Sequence, residues 1–214
     1  MKDFKDKVVV ITGGATGIGF SFAQKFGEEG AKVVIAGRRE DRLKEATKKL
    51  EKEGIEAAYC RCDVTKREEV EALADFSWKT FDHVDVIVNN AGVSQDQAPL
   101  LQTSQDTFRW IYDINIFGVL NGVHVFGNRF VEQGTPAAIY NVGSENSHFV
   151  GVPMAAAYVS SKHAVLAITE ALREEVPDFI EVGLVCPGFV RSELGADRSR
   201  SCCLLPSWRR EHVG

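Results

Sequence analysis

The sequence has no apolar run long enough to cross a bilayer as a helix. Its start, MKDFKDKVVVITGG, meets glycine soon after the first apolar residues, which is not the arrangement of a secretory signal peptide. We therefore expect no membrane association and predict a cytoplasmic protein.

Basic residues and cysteine patterns are also scarce. The chain has 25 Lys and Arg against 30 Asp and Glu, and no basic stripe, which argues against a nucleic-acid partner. An odd number of cysteines without metal-ligand spacing to histidines predicts reduced thiols and no metal site. These cysteines are Cys60, Cys62, Cys186, Cys202 and Cys203.

The sequence does contain a regular alternation of apolar β-branched runs and segments of helical period. Because the runs are continuous, we expect strands that are buried on both faces. The order predicts an α/β fold, a doubly wound parallel sheet in a single Rossmann-type domain. The predicted strands are 7–12, 32–37, 55–62, 84–90, 137–143 and 180–186, and the predicted helices are 18–29, 39–53, 66–79, 104–133 and 155–175. Ser104 is a predicted N-cap and Gly134 a predicted helix end.

A glycine-rich stretch, TGGATGIG, joins the first predicted strand to the first predicted helix. Glycine permits a tight turn, and the N–H groups at a helix start suit a pyrophosphate. The spacing Thr12-Gly13-x-x-x-Gly17-x-Gly19 differs from G-x-G-x-x-G. Taken alone, the stretch is also compatible with an ordinary glycine-rich turn.

The end of the second predicted strand indicates which dinucleotide would bind. Where an NAD site places a carboxylate for the ribose hydroxyls, this chain has Gly37 followed by Arg38 and Arg39. Guanidinium groups attract a 2′-phosphate, so NADP(H) is predicted over NAD(H). The alternative is that both arginines only begin a solvated helix.

Several motifs together resemble the short-chain dehydrogenase/reductase family, in the family's order and spacing over about residues 5–194. They are TGGATGIG, NNAG from Asn89, YNVGS ending at Ser144, YVSSK from Tyr158, and PGFV from Pro187. With the two arginines, the predicted cofactor contacts are Thr12, Gly13, Thr16, Gly17, Ile18, Gly19, Arg38, Arg39, Asp63, Val64, Asn90, Ala91, Gly92, Tyr158, Lys162, Pro187, Gly188 and Val190. The resemblance implies Asp63 beside the adenine.

The same resemblance implies a catalytic tetrad of Asn115, Ser144, Tyr158 and Lys162. Tyr158 and Lys162 lie four residues apart, so their side chains share one helix face. We expect the ammonium, with the positive nicotinamide, to lower the phenol pKa, which makes Tyr158 a general acid and base. Lys162 would also bind the nicotinamide ribose.

The other two tetrad members would act on the substrate oxygen and on the proton. Ser144 would donate a hydrogen bond to the developing alkoxide. Asn115 would hold water in a proton relay. Without the resemblance, Asn115 is equally a buried asparagine satisfied by local backbone.

The chain departs from the family after about Gly195. Domain 1–194 is followed by a tail, 195–214, where the family continues with a substrate-capping segment and a last strand. The sequence leaves open an altered reading frame, a variant terminus or a cloning feature. We predict a substrate pocket that includes Ser94, Gln95, the 145–154 loop and Phe189.

The sequence therefore predicts an NADP(H)-dependent oxidoreductase acting on a small-molecule carbonyl/alcohol pair. The alternative is a non-enzymatic NADP(H)-binding or inactive variant without the substrate lid. Helix 104–133 is apolar around much of its circumference, and the family pairs this helix and helix 155–175 with a second subunit. We therefore expect a homodimer through these two helices.

Overall fold

A computed structural model describes residues 3–149 and 153–188 as one parallel six-stranded sheet. The strand order is β3-β2-β1-β4-β5-β6. The strands are β1 Val8–Thr12, β2 Lys32–Gly37, β3 Ala57–Arg61, β4 Val86–Asn89, β5 Ala137–Val142 and β6 Ile180–Val185. The predicted Rossmann-type architecture is confirmed.

Helices cover both faces of the sheet. They are α1 Gly17–Glu28, α2 Glu40–Lys52, α3 Arg67–Phe81, α4 Gln105–Tyr112, α5 Gly118–Gln133 and α6 Ala156–Glu175. Helices α1 and α2 bury Ala23, Leu43 and Leu50 on one face. Helices α3, α5 and α6 bury residues such as Leu73, Phe126 and Val165 on the other.

Strand β1 shows why the central strands carry continuous apolar sequence. Val8 and Val10 point into the core beneath α3, α5 and α6, whereas Val9 and Ile11 point into the core beneath α1 and α2. All four side chains are fully buried. Each residue therefore meets a helix layer on whichever side it faces.

The expectation that every strand is buried on both faces is wrong for β3 and β6. Four of the five β3 residues are only half-buried and Arg61 is exposed. In β6, Glu181 is exposed and Gly183 to Val185 are half-buried. Both strands lie at an edge of the described sheet, where each has a single strand neighbour.

The predicted helix 104–133 is not one continuous α-helix. It begins where expected, because the Ser104 hydroxyl accepts a hydrogen bond from Thr107 N at 3.1 Å, and it ends at Gly134 with φ of +66°. A π-helical turn at Asp113–Phe117 separates α4 from α5, and Gly118 N donates to Asp113 O across it. Asn115, one of the predicted tetrad residues, lies inside this turn.

The strand order reverses between β2 and β4, which both pair with β1. The connections that lead to β2 and to β4 therefore run to opposite sides of β1. A crevice opens between them at the carboxyl ends of the strands. Within the described residues, no helix is long and apolar enough to span a membrane. The predicted tail 195–214, like Phe189 and Val190, lies outside the described residues.

Candidate active site

A cavity of about 670 Å³ lies in the crevice at the carboxyl edge of the sheet. Most of the predicted site residues line it: Gly13, Thr16, Gly17, Ile18, Gly19, Arg38, Arg39, Asp63, Val64, Asn90, Ala91, Gly92, Ser144, Tyr158, Lys162, Pro187 and Gly188. Two of the predicted residues, Thr12 and Asn115, lie behind its wall, at 3% and 0% exposure. Sequence positions that are far apart therefore meet in one space.

The glycine-rich turn between β1 and α1 forms one end of the cavity. Gly13 and Gly17 have φ of +65° and +55°, in the left-handed region that favours glycine. A Cβ on Gly19 would collide with the carbonyl oxygen of Gly13, so α1 starts close against the turn. Helix α1 has no acidic residue in its first turn and no side-chain cap at Thr16. Its N–H groups fit the pyrophosphate of a dinucleotide.

Thr12 and Asn90 join this turn to the end of β4. The Thr12 hydroxyl accepts hydrogen bonds from Asn90 N and Ala91 N, both at 3.0 Å. The Asn90 amide donates to Thr12 O at 2.8 Å. Thr12 therefore holds the wall of the cavity in place.

The residues predicted to lie beside the adenosine line one end of the crevice. One of them, Asp63, forms hydrogen bonds within its own turn. Arg38 and Arg39 line the cavity between β2 and α2. The carboxylate of Asp63 accepts from Thr65 N and Thr65 Oγ1, at 3.1 and 2.9 Å. Asp63 therefore shapes its own turn while it borders the cavity.

Lys162 is the most buried cation of the cavity wall, with 5% exposure. Its Nζ donates to Val142 O, at the end of β5, at 2.8 Å. Burial lowers the pKa of Lys162 to about 8, and Cys186 acts in the opposite direction. A Cβ on Gly92 would lie 3.6 Å from Nζ, at ordinary van der Waals distance, so the Gly92 backbone lies close to the ammonium.

The expected lowering of the Tyr158 pKa is wrong for the protein alone. Burial of the phenol raises its pKa, the hydrogen bond with Ser144 works against that rise, and the Glu145 carboxylate adds to it. Lys162 Nζ lies 5.8 Å from the centre of the Tyr158 ring. Desolvation of the phenolate is the largest effect on this pKa.

Asn115 is fully engaged inside the wall. Its Oδ1 accepts from Val93 N at 2.8 Å, and its Nδ2 donates to Val93 O at 2.9 Å and to Ser161 Oγ at 3.0 Å. The π-helical turn directs this amide at the loop after β4. The side chain therefore binds backbone, and the water relay stays a prediction.

Sequence reasoning missed a polar group near the site. Of the residues expected in the substrate pocket, Ser94 lines the cavity, and contact of Gln95 with the substrate stays a prediction. A buried polar chain also ties the sheet to α6: Asn89 donates to Asn141 at 2.9 Å, and Asn141 donates to Thr169 at 3.0 Å. The only sequence signal for these hydrogen-bonded side chains is that each is a polar residue in or next to an apolar run.

Comparison with known proteins identifies the class of protein. A family model described as short chain dehydrogenase matches residues 7–202. An uncharacterized oxidoreductase of Staphylococcus saprophyticus is 38% identical over 91% of this chain and 78% of its own length. A C alpha-dehydrogenase of a Sphingobium strain is 34% identical over 94% of this chain and 65% of its own length. The chain belongs to the short-chain dehydrogenase family of oxidoreductases.

Solved structures agree with this assignment. A short-chain dehydrogenase/reductase from Burkholderia phymatum in complex with NAD is 34% identical, with a TM-score of 0.88 over 94% of this chain and 72% of that one. A gluconate 5-dehydrogenase from Burkholderia cenocepacia in complex with NADP and tartrate is 28% identical, with a TM-score of 0.83 over 89% of this chain and 75% of that one. The chain thus spans 65–78% of the length of these four relatives.

Replacing Lys162 by methionine tests whether a buried ammonium occupies the wall. The folded pKa of about 8 lies below the ordinary 10.5, so between these values the unfolded chain binds more protons. The unmodified protein therefore gains stability as the pH rises through this window. We expect the stability advantage of Lys162→Met, measured by urea unfolding, to shrink by about 2 kcal/mol between about pH 7 and about pH 10.

Lys79→Met is the matched control, because Lys79 is exposed on α3. Its stability difference should be nearly independent of pH. A Lys162→Met difference that is equally flat would show that the ammonium is not buried as described.

Proposed function

We propose that the protein is an NADP(H)-dependent oxidoreductase that interconverts a carbonyl and a secondary alcohol, with Tyr158 as the general acid and base. One observation carries this proposal: Ser144, Tyr158 and Lys162 border the same cavity as the glycine-rich turn. A dinucleotide along that turn and a small substrate beside Tyr158 would share one enclosed space. The oxidoreductases among the family relatives support the reaction class.

The cofactor, when bound, supplies or accepts the hydride. Residues of this chain then exchange a proton with the substrate oxygen and form hydrogen bonds to it. The Tyr158 hydroxyl gives a proton to that oxygen in reduction and takes it back in oxidation. The buried Ser144 hydroxyl, already in hydrogen-bond contact with Tyr158, holds the same oxygen.

Lys162 supports the phenol electrostatically. Its pKa of about 8 keeps most of the population protonated at neutral pH. The ammonium is held by Val142 O at one side and faces the cavity that also borders Tyr158. It is therefore placed to bind ribose hydroxyls and to stabilise a phenolate as it forms.

Tyr158→Phe tests the proton-transfer role. We expect kcat with a reducible ketone to fall by about 100-fold or more, because general acid-base catalysis contributes that much. NADPH binding, measured by its fluorescence, should change little, because the hydroxyl acts on the substrate oxygen. Tyr140→Phe is the control, since the Tyr140 hydroxyl donates to Glu181 outside the cavity. Turnover retained in Tyr158→Phe would contradict the assignment.

The preference for NADP(H) rests on the end of β2. Gly37 occupies the position where a carboxylate would repel a 2′-phosphate, and Arg38 and Arg39 line the cavity next to it. Guanidinium groups bind phosphate through paired charge-assisted hydrogen bonds. One structural relative binds NAD and another binds NADP, so the family alone does not decide between them.

Arg38→Asp should move the preference toward NADH. We expect the ratio of kcat/KM for NADPH over NADH to fall at least about tenfold, the loss expected for a charge-assisted hydrogen bond. Arg42→Asp makes the same charge change on α2 outside the cavity lining, and it should leave the ratio unchanged. An unchanged ratio in Arg38→Asp would make Arg38 a surface charge only.

A homodimer through α5 and α6 is part of this proposal. Phe117 and Val131 are 53% and 48% exposed, and with the exposed His124 they recur every seven residues along one face. Two exposed apolar side chains on one face with His124 between them suit a self-complementary twofold contact. Light scattering should give twice the chain mass of 23.6 kDa. A monomer mass would refute the helix pairing.

The competing candidate is a dinucleotide-binding protein without catalysis. It rests on the atypical tail alone, which lies outside the described residues. NADPH binding without turnover over a panel of ketones and aldehydes would favour it. The cytoplasmic location stays a prediction.

A further inference from the structure

The catalytic helix α6 starts without a cap of its own. Its N-cap residue is Ala155, which has no side chain that can accept a hydrogen bond. Val159 N is the first N–H in the helix to bond in the helical pattern, to Ala155 O at 2.9 Å. The earlier N–H groups of the first turn, including that of Tyr158, must find partners elsewhere.

A distant side chain supplies the missing partner. Gln95 Oε1 accepts a hydrogen bond from Tyr158 N at 3.1 Å, across 63 residues of sequence. Tyr158 is the third residue of α6, the position whose N–H an N-cap serine or aspartate side chain ordinarily satisfies. Gln95 therefore caps the start of α6 from another loop, whereas no local side chain does so.

The loop that carries Gln95 is tied down at both ends. Val93 exchanges two hydrogen bonds with the Asn115 amide, and Ala98 N donates to Met154 O at 2.9 Å, just before α6. Between these two anchors, Ser94 lines the cavity. The cofactor-side wall and the catalytic helix are thus connected through this loop.

Gln95 also has an unusual hydrogen-bond count. Its Nε2 is buried and has no hydrogen-bond partner among the described residues. Leaving a buried donor unpaired costs free energy, so packing alone does not explain an amide at this position. The hydrogen bond that Gln95 Oε1 accepts from Tyr158 N, the backbone N–H of the residue that carries the reacting phenol, does explain an amide there.

We propose that Gln95 is a positioning residue: it caps α6 through the Tyr158 amide and so fixes the Tyr158 side chain relative to Ser144 and the cavity. This inference rests on the proposed function. It differs from the sequence-based expectation that Gln95 lines the substrate pocket, because the glutamine acts through Tyr158 and need not touch the substrate.

Two substitutions separate the cap from general packing. Gln95→Met has a similar length but no strong acceptor, whereas Gln95→Glu keeps an acceptor oxygen next to a helix start that favours negative charge. Gln102→Met is the control, because Gln102 is exposed nearby. The inference predicts loss in the methionine variant, rescue in the glutamate variant and no effect in the control.

The first measurement does not require turnover. The chain has four tyrosines, so labelling with ¹⁵N-tyrosine gives four backbone amide signals whose hydrogen exchange can be followed by NMR. In Gln95→Met we expect exchange of the Tyr158 amide to accelerate by about fivefold to tenfold, as for loss of one helix cap. The amides of Tyr59 and Tyr140, in β3 and β5, should be unaffected. An unchanged Tyr158 rate would overturn the cap.

The second measurement tests the link to chemistry. In Gln95→Met we expect kcat to fall by about tenfold while the Kd for NADPH stays within about twofold, and Gln95→Glu should restore most of kcat. Faster Tyr158 exchange with an unchanged kcat would reduce Gln95 to a fold contact and overturn the positioning role. Absence of turnover in the unmodified protein would instead overturn the proposed function, and the positioning role with it, while the exchange data would still decide the cap.

Discussion

The site depends on a single buried ammonium held at the end of a central strand. Lys162 projects from α6 and donates to Val142 O on β5, so one hydrogen bond joins the catalytic helix to the sheet at the cavity wall. Burying this charge is unfavourable, which is why its pKa lies far below the ordinary value. The hydrogen bond to Val142 O offsets part of that cost, and the same charge faces the cavity that Tyr158 borders.

The loop after β4 unites the parts of the site that the sequence places far apart. Its first residues bond to Thr12, at the start of the glycine-rich turn. Val93 bonds to Asn115 in the π-helical turn, and Gln95 bonds to the first turn of α6. Displacement at any of these contacts would be felt at the others, because each satisfies a partly buried backbone N–H group. The loop therefore connects the glycine-rich turn, the Asn115 amide and the start of α6.

The local sequence pattern predicted most of the fold, because a parallel sheet covered by helices on both faces requires apolar runs in its strands and a helical period in its helices. Every predicted strand and helix recurs within two residues at each end, apart from the π-helical turn in 104–133. Asn115 lies inside that turn and bonds to Val93, a tertiary pairing that no local pattern contains. For the same reason the sequence predicted the cavity residues through motifs, but it missed the contact of Gln95 with α6 and gave the wrong direction for the Tyr158 pKa in the protein alone. Capping from another loop and desolvation both depend on tertiary packing.

The proposed reaction in this cavity is hydride transfer between a nicotinamide and a carbonyl carbon. The most direct test is incubation of the protein with NADPH deuterated at the transferable position of the nicotinamide and a panel of ketones, followed by mass spectrometry of the products. We expect secondary alcohols that carry one deuterium on the former carbonyl carbon. Bound cofactor that keeps its deuterium, with every ketone recovered unchanged, would contradict it.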